Sequence, residues 1–183
     1  KLTELVNAYA VFAQEGVRHS QSIILNIKDS KGRAVETFID KPLQVIDAQY
    51  TRLINDILSD NDARRPLFQN SFDLTTFDDR EVALKTGTTN DYVDAWTLGY
   101  TPSLVVGVWA GNNHREPMQK SAGSVLAALP IWSAFMKDVV GKFPIEPFTN
   151  PEPVNETKPM LNGQYNIDGQ IHDILYYVNK NDP

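Results

Sequence analysis

The chain has 183 residues, long enough for one domain with a buried core, and it carries 17 basic against 23 acidic residues for a net charge of −6. No Lys/Arg cluster stands out, which argues against nucleic acid as a partner, and the absence of cysteine excludes disulfides, thiol catalysis and thiolate metal sites. The longest fully apolar run, around Leu104 to Ala110, falls short of the roughly 18 residues of a membrane span, and no signal peptide opens the sequence.

The first element is a helix. Thr3 is placed as its N-cap with Glu4 in the first turn, Leu5, Val6, Tyr9, Phe12 and Ala13 recur at helical spacing, and Gly16 ends it. SIILNIKDSKGRAVETFI then reads as a hairpin of two β-rich runs around Asp29-Ser30-Lys31-Gly32. Asp47 caps a second helix, with Tyr50, Leu53, Ile54, Ile57 and Leu58 as its apolar stripe. Residues 60–80 are polar and turn-rich. A strand ending in Lys85-Thr86-Gly87 leads through an Asn-Asp turn to strands over 92–101 and 103–111, joined at Thr101-Pro102-Ser103, so the three form an antiparallel meander. Residues 121–140 return to a helical pattern that Pro130 should kink or restart. From Pro144 onward prolines suggest an extended linker, with at most a short strand in the last 20 residues. The expected fold class is α+β: an antiparallel sheet flanked by helices.

Lys85-Thr86-Gly87-Thr88 is where the chemistry concentrates. A lysine on a sheet presents a fixed cation to an anion or lowers the pKa of a neighbouring nucleophile. Thr86 and Thr88 alternate with Lys85 and Gly87, so two hydroxyls share a face. Glycine admits close approach, an edge strand pairs with an extended peptide, and a strand-edge N–H can serve as an oxyanion donor. Together these describe a slot for a peptide ending in a carboxylate. His19, His114 and His172 lack metal-ligand spacing, while Trp96, Trp109, Met118 and Met136 read as packing residues.

The segment KTGTTNDYVDAWTLGYTPSLVVGVWAGN resembles the transpeptidase domain of bacterial penicillin-binding proteins, especially the bifunctional class A enzymes. The resemblance extends to LTELVNAYAVFAQEGV and to SAGSVLAALPIWSAFM, covering residues 2 to 140. It implies a penicillin-binding protein/serine β-lactamase-like fold, with residues 1–143 as the C-terminal portion of the transpeptidase domain and 144–183 as a Pro-rich linker and C-terminal extension. It also implies a serine acyl-enzyme that cross-links peptidoglycan stem peptides ending in D-Ala-D-Ala and is acylated by β-lactams, with no cofactor, at the extracytoplasmic face of the cell membrane. Lys85 would then supply positive potential, the Thr86 and Thr88 hydroxyls would hold the carboxylate, Gly87 would give clearance and the Thr88 N–H would be an oxyanion donor. A D,D-carboxypeptidase or β-lactamase, and a non-catalytic β-lactam-sensing or peptidoglycan-binding module, are the alternatives.

The family's two other motifs, Ser-x-x-Lys and Ser-x-Asn upstream of Lys-Thr-Gly, are not matched. No serine in this chain is followed three residues later by lysine; Ser133 comes nearest, with Lys137 four residues on. Ser59-Asp60-Asn61 fits the second pattern but follows the first helix, whereas the family's motif precedes it, so it reads as a solvated helix end. The loop GNNHREPM also departs from the family, where acidic residues are usual near Asn113 and His114. The expectation is therefore a chain inactive alone and bound to the remainder of its domain.

Overall fold

The computed structural model describes residues 1–119 and 123–153. Residues 1–151 form one compact unit, and of a second, 152–183, only Glu152 and Pro153 are described. The strand expected near the C-terminus lies outside the described residues.

Helix α1, Leu2–Ala13, starts just ahead of the expected Thr3 cap. Gly16 ends it with φ +90°, in a turn where a Cβ would lie 2.0 Å from the Ile46 carbonyl oxygen. Strand β1, Val17–Arg18, pairs with a short strand that the sequence did not signal, Leu43–Gln44. Between them lies the expected hairpin, β2 (Asn26–Lys28) and β3 (Ala34–Thr37), antiparallel and exposed. Leu43–Gln44 is β4. The Asp29 carboxylate accepts from the Lys31 and Arg33 N–H groups in the hairpin turn.

Asp47 caps α2, Ala48–Ser59, by accepting from the Gln49 N–H. The face it buries overlaps the expected apolar stripe only in part: Leu58 packs against the cluster of Ala13, Ala83 and Tyr100. Thr51 and Asn55 are buried, while Tyr50 and Ile57 are exposed. The reason is a polar bridge: Asn55 Nδ2 donates to the Phe12 carbonyl at 2.9 Å, and its Oδ1 accepts from the Tyr100 hydroxyl at 2.7 Å. A buried amide with both ends partnered carries little penalty, and it joins α2 to α1 and the sheet.

Residues 60–80 are more ordered than their polarity suggested. They hold α3 (Asn61–Phe68) and a 3-10 segment, Gln69–Leu74. Asp60 starts α3 by accepting from the Asp62 and Ala63 N–H groups. Arg64 is buried and donates to the carbonyls of Leu58, Thr75 and Val82, holding the irregular backbone against the sheet.

The expected antiparallel meander forms: β5 (Ala83–Thr88), β6 (Asp94–Thr101) and β7 (Leu104–Gly111), in the order β5-β6-β7. One face carries Ala83 and Tyr100, packed with Tyr9, Phe12 and Ala13 of α1. Phe148 packs there too, so the proline-rich segment begins against the core. The opposite face carries Leu84 and Val106 and meets α4, Ser124–Val139, through the fully buried Leu129, Trp132 and Met136. A Cβ at Gly99 would fall 2.1 Å from Trp132 Cζ2, so glycine is what lets the indole lie on the sheet. Helix α4 runs unbroken through Pro130. The carbonyl that loses its partner, Leu126 O, belongs to an exposed residue that water can reach. Residues 124–142 are apolar enough on average to cross a membrane, but this burial marks α4 as a core helix.

Candidate active site

Lys85, Thr86, Gly87 and Thr88 are the last four residues of β5, the strand at one edge of the sheet. The Thr89 N–H donates to the Asp94 carbonyl at 3.0 Å, which makes Thr89 and Asp94 a hydrogen-bonded pair. Antiparallel alternation then gives Gly87/Trp96 and Lys85/Leu98 the same character. The N–H and C=O groups of Thr86 and Thr88 are left facing away from β6, along the free edge. Lys85 Nζ donates to the Thr86 carbonyl at 2.6 Å, in keeping with a carbonyl that faces outward.

The side chains divide by the pleat. Lys85 and Gly87 share the α1 face with their partners Leu98 and Trp96. With Leu5 and Tyr9 of α1, and with Thr86, Thr88 and Thr89, they line a cleft of about 230 Å³. Burial pushes the Tyr9 phenol above its ordinary pKa, so this wall stays neutral. A Cβ at Gly87 would make only an ordinary 3.8 Å contact with Trp96 Cβ. What glycine contributes there is open space in the cleft. Thr86 and Thr88 point to the α4 face, and Thr88 Oγ1 accepts the Ser124 N–H at 2.9 Å. The two hydroxyls do share a face, as alternation predicts, but it is not the face of Lys85.

The end of β5 is clamped. Thr89 Oγ1 lies 3.1 Å from Asp94 Oδ2 and accepts the Asp94 N–H at 2.8 Å, and Trp109 Nε1 donates to Asp94 Oδ1 at 2.8 Å. These bonds close a turn in which Asp91 and Tyr92 have positive φ, each costing about 1–2 kcal/mol for an L-residue. The Met118 N–H donates to the Tyr92 carbonyl, so the GNNHREPM loop braces the same turn.

Ser59 ends α2, and the carboxylate beside it is spent on capping α3. Asp60 does share a small cleft with Lys85 and Thr86, a proximity the chain order did not suggest. Ser133 is buried in α4, and Lys137 Nζ donates to the Asp73 carbonyl, so that pair is structural. His19 pairs with Asp40 and His114 is exposed; His172 lies outside the described residues. Among the described residues no cluster of His, Asp and Glu could hold a metal ion. Trp96 is a correction: it is a half-buried cleft wall, ring centroid 6.4 Å from Trp109, while the core tryptophan is Trp132. Its place opposite Gly87 follows from the meander's register, which was the available signal. Leu5 and Tyr9 had none, since a cleft residue and a core residue share the same helical spacing.

Residues 2–137 match the family model described as the penicillin binding protein transpeptidase domain. Penicillin-binding protein 1A of Aquifex aeolicus is 34% identical over 148 residues, 81% of this chain and 20% of its own length. Penicillin-binding protein 1A of Neisseria lactamica is 32% identical over 140 residues, 73% of this chain and 17% of its own. Among solved structures, penicillin-binding protein 1A of Haemophilus influenzae has a similar fold, with TM-score 0.67 and 18% identity over 84% of this chain and 28% of that one. Penicillin-binding protein A of Mycobacterium tuberculosis, in an imipenem acyl-enzyme complex, gives a TM-score of 0.58 and 17% identity over 74% of this chain and 30% of that one. The chain thus spans about a fifth of the length of these curated relatives.

Proposed function

This chain belongs to the penicillin-binding protein transpeptidase family, and from that membership we propose that it supplies the substrate-binding strand of a peptidoglycan D,D-transpeptidase. The observation that carries the reading is the free edge of β5. Outward N–H and C=O groups of Thr86 and Thr88 offer an extended peptide a strand to pair with, beside a lysine and an open cleft.

In this reading a serine outside these 183 residues attacks the carbonyl of the penultimate D-Ala of a stem peptide. Its proton passes to a neighbouring base, the terminal D-Ala leaves as a protonated amine, and an amine of a second stem then attacks the ester and frees the serine. Lys85 lends positive potential along the edge, and the Thr88 N–H, already aimed outward, bonds the oxyanion. The Thr86 and Thr88 hydroxyls take the substrate's carboxylate where it rounds the strand edge onto the α4 face. β-Lactams acylate the same serine in this reading; the similarly folded penicillin-binding protein A of Mycobacterium tuberculosis is itself an imipenem acyl-enzyme complex. The site works at the extracytoplasmic face of the cell membrane.

Supplying the intact protein with lipid-linked precursor tests this. Cross-linked stem peptides that disappear on adding penicillin are expected. Release of D-Ala without any cross-link would overturn the transpeptidase reading.

A further inference from the structure

We infer that a second cleft, between β5 and helices α2 and α3, seats the acceptor of the transfer, and that it takes an amine carried on an aliphatic side chain. The inference rests on the function proposed above and adds to it the place and the class of the second substrate.

The free edge of β5 is short. Upstream of Thr86 it is flanked by α2 and α3: Leu58 packs against the cluster that holds Ala83, and Arg64 donates to the Val82 carbonyl at 3.0 Å. Where the free part meets these helices lies a cleft of about 180 Å³, with Leu84, Lys85 and Thr86 on the strand and Ile57, Asp60 and Leu67 on the helices. Lys85 and Thr86 also line the first cleft, so the two meet at these residues. That position carries the assignment. A donor whose oxyanion bonds the Thr88 N–H, and whose terminal D-Ala reaches back toward Thr86, runs antiparallel to β5 and ends beside the second cleft. In the transfer step an amine nitrogen attacks the acyl-serine ester and the bond from the carbonyl carbon to the serine oxygen breaks. That oxygen regains a proton as the nitrogen loses one. The step is the first one run backwards with a new amine, so the incoming nitrogen arrives where the departing one left, on the Thr86 side. The lining suits an amine on a stem. Ile57 and Leu67 are mostly exposed and offer methylenes an apolar wall. Asp60 caps α3 through Oδ1 alone, and among the described residues nothing donates to its Oδ2. The neighbouring cations are engaged elsewhere, Arg64 with the carbonyls of Leu58, Thr75 and Val82 and Lys85 with that of Thr86. A stem lying on Ile57 and Leu67 brings its terminal N–H to the Asp60 carboxylate. An amine borne directly on a peptide backbone has no methylenes to lay on that wall.

The readout is how the acyl-enzyme divides between transfer and hydrolysis, a ratio independent of how fast the acyl-enzyme forms. The intact protein receives N-benzoyl-D-alanyl thioglycolate as donor and, at equal free-base concentration, Nα-acetyl-lysine amide or glycinamide as acceptor. Wild type should favour the lysine amine. Asp60→Asn keeps the cap, since asparagine caps as well as aspartate, but replaces the open acceptor with a donor. It should lower the lysine ratio about tenfold, the order expected for one hydrogen bond to a carboxylate, and the glycinamide ratio less than about twofold. Ile57→Gln combined with Leu67→Gln changes two exposed helical positions that glutamine suits. That pair should lower the lysine ratio severalfold on its own, which keeps the test intact should Asp60→Asn fail to fold. Equal use of the two amines by wild type, a lysine ratio unmoved in either variant, or equal losses for both amines would overturn the inference and leave the transpeptidase reading standing. Hydrolysis of the donor with no transfer to either amine would instead overturn that reading, and this inference with it.

Discussion

At the scale of single residues, the site is a matter of which way β5 points its groups. Lys85 and Gly87 face α1 and the cleft, Thr86 and Thr88 face α4, and the main chain of Thr86 and Thr88 faces neither but runs along the open edge. Gly87 gives a sharp test, because its surroundings tolerate a methyl group: the nearest atom to an added Cβ is 3.8 Å away. Gly87→Ala should fold with a melting temperature within a few degrees of wild type yet acylate markedly more slowly, since the methyl occupies cleft space. A variant that is destabilised and equally reactive would show that the glycine serves folding alone. Ser59→Ala should leave acylation unchanged in the same assay, because its neighbour Asp60 is committed to capping α3. A folded but inert Ser59→Ala protein would place the chemistry at that serine.

At the scale of elements, α1, the β2–β3 hairpin, the three-stranded meander and α4 could be read from periodicity, caps and turn residues. The alternation and edge position of the Lys-Thr-Gly strand were legible because both follow from the pattern itself. What could not be read depended on partners far along the chain. The two buried positions of α2, Thr51 and Asn55, are polar, and Asn55 meets Tyr100, 45 residues on. Helix α3 hides in a polar stretch because Arg64 gathers carbonyls from Leu58, Thr75 and Val82. Arg64→Met should therefore cost several kcal/mol in denaturant unfolding, as buried acceptors left bare cost about 1–3 kcal/mol each. A loss under about 1 kcal/mol would mean water replaces the guanidinium. A second joint titrates. Arg52, bonded to Glu15 at 2.7 Å, holds the Glu15 carboxyl below the ordinary range, with Thr149 adding to the effect. A depressed folded pKa contributes stability above the ordinary glutamate value and loses it as pH falls. The melting-temperature gap between wild type and Glu15→Gln should be full at pH 7 and close as pH drops below about 4. A gap that persists at low pH would assign the effect to packing.

At the scale of the whole molecule, the sheet is a platform with two unlike faces. Helix α1 and the cleft lie on one side, α4 on the other, and β5 carries the boundary between them. Helix α4 forms the core beneath the sheet and, through Ser124, also reaches the site. Large apolar side chains stay exposed elsewhere, among them Ile23, Ile24, Val35 and Ile39 around the hairpin. An apolar surface of that kind is what covering polypeptide buries. The account's central claim is that this chain contributes the binding strand and not the nucleophile. The most direct test is to acylate the intact protein with fluorescent penicillin, digest it and map the labelled peptide, in wild type and in Lys85→Ala. The account predicts a label on a serine outside these 183 residues, and a rate in Lys85→Ala lower by about 10²–10³, the usual consequence of removing one preorganised electrostatic group. A label on any serine of this chain, or a Lys85→Ala protein that is acylated as fast as wild type, would contradict it.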